Sequence, residues 1–168
     1  MKKYNLGCGK KYIKGYINVD VTRSVKADLY FNLNKFPYPI KKKSADEVLM
    51  DNVLEHLDDV VLVMEEIYRI LKPGGIVKIY LPYAKSDGAL QDPTHKHLFT
   101  EKSMDYFRQD DKYNYYTNAK FRILVSKPFN ANKTLLSKMR VFIPFKPVLK
   151  YFLLNIYDGL YFEMKAVK

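Results

Sequence analysis

The chain has 168 residues, 48% of them hydrophobic and 28% charged. That composition is globular rather than disordered, and the length suits a single core, so one domain spanning 1–168 is expected. Its lone cysteine, Cys8, excludes a disulfide framework and a four-thiolate zinc centre and fits a reducing compartment. No run approaches the ~18 apolar residues of a membrane span, and no apolar signal core precedes the first glycine loop, so a cytoplasmic location is expected.

The net charge of +11 is unevenly spread. Residues 1–111 carry 18 basic and 16 acidic side chains, residues 112–157 carry nine basic and no acidic ones, and the remainder balances. The basic, acid-free stretch is interleaved with Phe and Tyr, which fits either contact with an anionic surface or nucleic acid, or a solvated face.

In chain order, Lys3–Leu6 reads as a short strand ended by Gly7-Cys8-Gly9, and Tyr16–Asp20 as a second ending in an acid. Ala27–Leu33 is a candidate third strand. Glu47–Met50 is a fourth, apolar as a strand buried on both faces should be. Asp58 or Asp59 can cap a helix whose apolar residues Val60, Val63, Met64, Ile67, Ile70 and Leu71 recur at helical spacing, with Pro73-Gly74-Gly75 as its stop. Ile76–Leu81 is a β-branched strand closed by Pro82, Thr100 opens a short helix to Phe107, and Phe121–Ser126 and Leu160–Val167 are the last strands. Strand, helix, strand in this rhythm predicts an α/β fold with a parallel sheet and covering helices.

Glycines after a first strand let backbone amides approach a ligand closely. A dinucleotide fingerprint would require a third glycine where Tyr12 stands. An acid at the tip of the second strand, Asp20, can accept hydrogen bonds from a ribose. Asn5-Leu6-Gly7-Cys8-Gly9, Gly15 to Asp20, Phe36-Pro37-Tyr38-Pro39, Asp46 to Met50, Val53-Leu54-Glu55-His56-Leu57, Glu66 to Gly75 and Asp92 to Thr100 together resemble the class I S-adenosylmethionine-dependent methyltransferases over roughly residues 1–110.

The resemblance implies a Rossmann-like, mostly parallel sheet of order 3-2-1-4-5-7-6 with an antiparallel last strand. It also implies S-adenosyl-L-methionine as cofactor: Asn5, Leu6, Gly7, Cys8 and Gly9 at its methionine end, Asp20 at the ribose with Val21 following, Asn32 and Leu33 beside the adenine, and Asp51, Asn52 and Val53 lining the pocket after strand four. The chain departs from the family where acids are usual and it carries Asn5 and Asn32. The six residues between Gly9 and Tyr16 are too few for an ordinary parallel crossover, so the first helix is expected to be reduced or absent, leaving Lys10, Lys11 or Lys14 to hold the cofactor carboxylate.

For an oxygen or nitrogen acceptor the chain must align the acceptor and remove a proton. His95 is the first candidate for that base and His97 the second; both can equally be structural hydrogen-bonding groups. His56 is expected to fix its loop, Cys8 to pack, and the three histidines not to form a metal site. The family's motif for exocyclic amines is absent from Met50-Asp51-Asn52-Val53. A small-molecule or glycan acceptor is expected.

A basic aromatic insertion is placed at about 128–157. Its segment Val148–Tyr157 is apolar nearly all round and is expected to be buried, in its own core or in a homodimer. Lys138, Arg140, Lys146 and Lys150 beside Phe142, Phe145 and Phe152 equally suit the anionic surface of a bilayer, with peripheral membrane association, or a nucleic acid. Two readings of other classes stay open: a non-catalytic cofactor-binding subunit, and a basic nucleic-acid- or membrane-binding module on the same scaffold.

Overall fold

The computed structural model describes residues 1–110, 112, 114–131 and 138–168; Asp111, Tyr113 and residues 132–137, part of the basic stretch, lie outside the described residues. Seven strands form one sheet: β1 (Lys3–Leu6), β2 (Ile17–Asp20), β3 (Leu29–Tyr30), β4 (Ala45–Asp51), β5 (Leu71–Pro82), β6 (Phe121–Phe129) and β7 (Gly159–Ala166). Their order is β3-β2-β1-β4-β5-β7-β6, as expected. β1 to β5 pair in parallel, and β7 runs antiparallel to both β5 and β6. No helix intervenes between β1 and β2, and residues 7–16 cross as turns.

The helix predicted after the fourth strand is α1 (Val60–Ile70). Asp59 caps it by accepting from the Leu62 amide at 2.9 Å, and Val63, Met64, Ile67 and Ile70 are fully buried on one face. Leu71 is not its last turn but the first residue of β5, opposite Ala45, and the chain runs on through Pro73 and Gly74, with Gly74 at φ +74°.

Side chains opposite one another in register share a face of the sheet. One face carries Val48, Met50, Val77, Ile79, Phe162 and Met164, all fully buried within the core to which α1 contributes. The other carries Glu47, Leu49, Lys78, Tyr80, Tyr161 and Glu163. Here Lys78 pairs with Glu47 at 3.1 Å, the Tyr16 hydroxyl donates to Glu47, and Leu49, Lys78 and Tyr80 are only half-buried. The expectation that β4 is buried on both faces is therefore corrected. The short loops joining β1 to β2 and β2 to β3 supply no helix for that side, so polar partners satisfy it instead.

Three further expectations change. The third strand shrinks to Leu29–Tyr30, a half-exposed edge. The Thr100–Phe107 segment closes as a 3-10 turn over Ser103–Phe107. Val148–Tyr157 is not a buried helix: α2 (Asp87–Leu90) precedes it in the chain, and the helical turn α3 (Lys146–Leu149) ends before most of the segment. Phe152 is 79% exposed, whereas Ile156 is buried. The segment is set by its anchors, with the Asn155 amide donating to Lys85 O and Asn155 Oδ1 accepting from the Asp87 amide, which leave Tyr151 to Leu154 outside the core.

Candidate functional site

The parallel strands β1, β2, β4 and β5 all end on one side of the sheet, the side on which open α/β sheets bind ligands. After β1 the chain bends sharply through Gly7 (φ +67°) and Gly9 (φ +49°). A Cβ on Gly7 would lie 2.6 Å from Val53 Cγ2, so Val53 sets how closely the bend approaches the end of β4. A Cβ on Gly9 would meet nothing within 4 Å, so the bend opens onto free space there. The Gly9 amide donates to Asp20 Oδ2 at 2.8 Å, and the Thr22 amide donates to Asp20 Oδ1 at 3.0 Å. Asp20 is thus buried against the glycine bend, while the following Val21 is 65% exposed.

The loop that replaces a first helix is held by Asn18, a buried residue the sequence reading did not single out. Its Oδ1 accepts from the Ile13 amide at 2.9 Å and from Asn5 Nδ2 at 3.0 Å, and its Nδ2 donates to the Ile13 and Tyr16 carbonyls. Asn5 also donates to the Lys11 carbonyl at 3.0 Å. The Asn5 amide nitrogen is therefore used in shaping the bend, and Leu6 is wholly within the core. Cys8 is buried, its thiol pushed up by burial and then by the nearby Asp20 charge, which makes it a packing residue. Asn32 Oδ1 closes a local turn on the Asn34 amide at 2.8 Å, and Leu33 is buried in the core.

A cleft of about 530 Å³ opens at the same end of the sheet, lined by Lys11 from the loop after β1 and by residues from the ends of β4, β5 and β6, the start of β7 and the loop after β5, among them Asp51, Asn52, Glu55, Tyr80 and His95; Gly7, Gly9 and Asp20 do not line it. Asp51 accepts from Lys11 Nζ at 2.6 Å and from Asn52 Nδ2 at 2.7 Å, so Lys11 is the loop lysine that reaches the pocket. A 3-10 turn over Leu54–His56 follows β4 and turns Glu55 inward and His56 onto the cleft wall. Asp92 accepts from the Thr94 amide and hydroxyl at 2.8 and 2.6 Å, and the Lys96 amide donates to the Glu55 carbonyl at 2.8 Å. These bonds fix the loop that carries His95.

His95 Nδ1 lies 2.9 Å from the Ala89 carbonyl oxygen. A carbonyl can only accept, so the Nδ1 proton is held there and Nε2 presents a lone pair in the neutral ring. Nε2 stands 4.0 Å from Glu55 Oε1 and 3.8 Å from Asp92 Oδ2. Glu55 is buried and neither of its carboxylate oxygens has a hydrogen-bond partner among the described residues. Burial pushes its carboxyl up to about 7, against the weaker opposing pull of its own backbone amide and of the nearby His95 ring. Sequence reasoning placed Glu55 in a motif but gave it no role; the visible signal was an acid set in the otherwise apolar run Val53-Leu54-Glu55.

His97 is placed differently. Its Nε2 donates to the Leu57 carbonyl at 2.9 Å and it does not line the cleft, so it acts as a loop staple. His56 Nδ1 meets the Thr94 hydroxyl at 3.0 Å. The ligand atoms of Glu55, His56 and His95 fall within 4.8 Å of one another. His95 Nε2 and Glu55 Oε1 stand 4.0 Å apart, wider than the ~3.0–3.4 Å ligand spacing implied by ~2.1 Å metal bonds, so this geometry would have to close before it held a cation. A second cleft, along α1, holds Glu65 and Glu66. Glu65 is bonded by Thr117 and Asn118 and Glu66 by Arg69, which leaves no free acid there.

The sequence profile of the methyltransferase-domain family matches residues 16–79. No curated protein sequence matches the chain. Among solved structures, a SAM-dependent methyltransferase from Archaeoglobus fulgidus superposes with a TM-score of 0.69 at 18% identity, over 98% of this chain and 85% of that one. A chain of the complex between the Haloferax volcanii Trm112 methyltransferase activator and a methyltransferase gives 0.67 at 15% identity, over 99% and 83%. A SAM-dependent methyltransferase from Methanosarcina mazei gives 0.62 at 15% identity, over 99% and 92%. The chain thus has the Rossmann-like fold of the class I SAM-dependent methyltransferases, as its motifs led one to expect.

Proposed function

We propose that the protein transfers a methyl group from S-adenosyl-L-methionine to an oxygen or nitrogen of a small-molecule or glycan acceptor held in the cleft. The observation that carries this reading is that the Gly7–Gly9 bend with buried Asp20 lies at the same end of the sheet as a cleft lined by Lys11, Asp51 and His95, the last with its Nδ1 held by the Ala89 carbonyl. The residues present fit the cofactor. The open space beside Gly9 admits a ligand against the backbone, and each Asp20 oxygen keeps a second lone pair for ribose hydroxyls. Lys11 offers a cation for a carboxylate, and Asp51 an anion for an ammonium.

When bound, the cofactor supplies an electrophilic methyl group on a sulfonium. The chain's own work is alignment and proton removal. With the cofactor bound, His95 Nε2 would take the acceptor's O–H or N–H proton as the methyl's bond to sulfur gives way to one with the acceptor atom and a neutral thioether leaves, while the Ala89 carbonyl keeps the ring oriented. Glu55, ionised, stabilises the resulting imidazolium from within the protein, where an opposite charge counts for more than in water. The wall formed by Tyr80, its ring tilted against Tyr161 with centroids 4.6 Å apart, gives the acceptor an apolar side on which to rest.

Calorimetry with S-adenosylmethionine, followed by labelled methyl transfer into fractionated cell extract, tests the reading. Binding at micromolar to millimolar affinity is expected, abolished by Asp20→Ala. His95→Ala should keep binding but lose about 10²–10⁴-fold in turnover, whereas His97→Ala should change turnover little. Absence of cofactor binding by the wild-type chain removes the proposal, and unchanged turnover in His95→Ala removes the base.

A further inference from the structure

The connection between β6 and β7 starts and ends at the rim of the cleft: Phe129 faces Gly159 across the two strands, and Phe129, Ala131, Asp158 and Gly159 all line it. Between residues 139 and 154 this connection exposes eight large apolar side chains, with Phe142 83%, Phe152 79% and Phe145 78% exposed. Soluble proteins seldom leave such a concentration uncovered without a use for it. The same connection contains no acid until Asp158. Arg140 and Lys150 are drawn to its root by Asp158 and Glu101, while Lys138 and Lys146 have no acidic partner among the described residues.

We propose that this patch docks the protein on an anionic lipid bilayer. Phe142, Phe145 and Phe152 enter the boundary between headgroups and acyl chains, and Lys138 and Lys146 meet headgroup phosphates, the pairing by which basic, apolar segments adhere to membranes. Charge decides against a second copy of this chain, because two such patches bring like charges together without an acid between them. The aliphatic Val148, Leu153 and Leu154, about half exposed, decide against a nucleic acid, since they gain nothing from phosphates and little from bases. No helix among the described residues is long and apolar enough to span a membrane, so the contact is at the surface. Because Arg140, next to the patch, pairs with Asp158 on the cleft rim, docking presents the cleft to a membrane-borne acceptor; this consequence, unlike the docking, rests on the function proposed above.

Sedimentation of the full chain with vesicles of phosphatidylcholine, with or without phosphatidylglycerol, tests the docking. At least ten-fold tighter binding to the anionic vesicles is expected, weakening as salt is raised. Lys138→Ala and Lys146→Ala should each weaken binding about five-fold, and Phe142→Ser with Phe152→Ser about ten-fold or more. The wild-type comparison needs no variant to fold. Equal or absent binding to the two vesicle types overturns the proposal, as does a lipid-free dimer abolished by the Phe substitutions, or tighter binding to RNA than to the vesicles. Calorimetry with S-adenosylmethionine on the same samples separates the two readings. Cofactor binding without vesicle binding removes only the docking, and vesicle binding without cofactor binding removes only the enzymatic reading.

Discussion

Glu55 makes the protein's stability depend on pH in an unusual direction. Its carboxylate is buried with both oxygens unpartnered, and its carboxyl titrates at about 7 instead of 4.5. A carboxyl whose folded value lies above its unfolded value favours the fold while it is protonated. That contribution is complete below the unfolded value and is lost as pH rises through the folded one. The rise from 4.5 to about 7 corresponds to about 3 kcal/mol, most of it lost between about pH 5 and about pH 8. Glu55→Gln removes the titration while keeping the shape. Urea unfolding of both proteins across that range, with a chelator present, should therefore show the Gln variant gaining roughly 2–3 kcal/mol on the wild type as pH rises. A stability difference that stays flat within about 0.5 kcal/mol would mean that a counter-charge holds Glu55 ionised throughout, and the reasoning from its isolation would fail. In the enzymatic reading the same group sets a rising limb in turnover around pH 7, and that limb should vanish in the Gln variant.

Two other substitutions test the bend that shapes the site. Gly7→Ala places a methyl group 2.6 Å from Val53 Cγ2 at a φ of +67°, and should cost about 2 kcal/mol or more by thermal unfolding; pairing it with Val53→Ala should recover the steric part but not the backbone part. Asn18→Ala leaves the Ile13 amide and the Asn5 amide without an acceptor that both now share. A loss of about 1–3 kcal/mol is expected, together with faster amide hydrogen exchange in residues 9–16; unchanged exchange there would show that the loop does not depend on this side chain.

The sequence carried the capped helix at Val60–Ile70 and the missing first crossover through local signals, an acid before a helical period and too few residues to build a helix, while the sheet order followed only from the resemblance its motifs bear to the methyltransferases. It also marked Gly7 and Asp20 through their places at the ends of the first two strands, and His95 through the loop that the resemblance sets beside the methyl group. Distance across the chain decided the rest. Glu55 became a candidate acid–base partner only when the 92–97 loop folded over it and brought His95 to 4.0 Å, while His97, two residues away, turned to the Leu57 carbonyl. Asn5, which the resemblance places at the cofactor, and Asn18, which looks like an ordinary strand residue, meet through their side chains only when β1 and β2 lie side by side. The apolar 148–154 segment reads as core from composition, since hydrophobicity says that a surface needs covering but not which surface covers it. Only the packed fold, in which β5, β7 and α1 already fill the interior, leaves that segment outside.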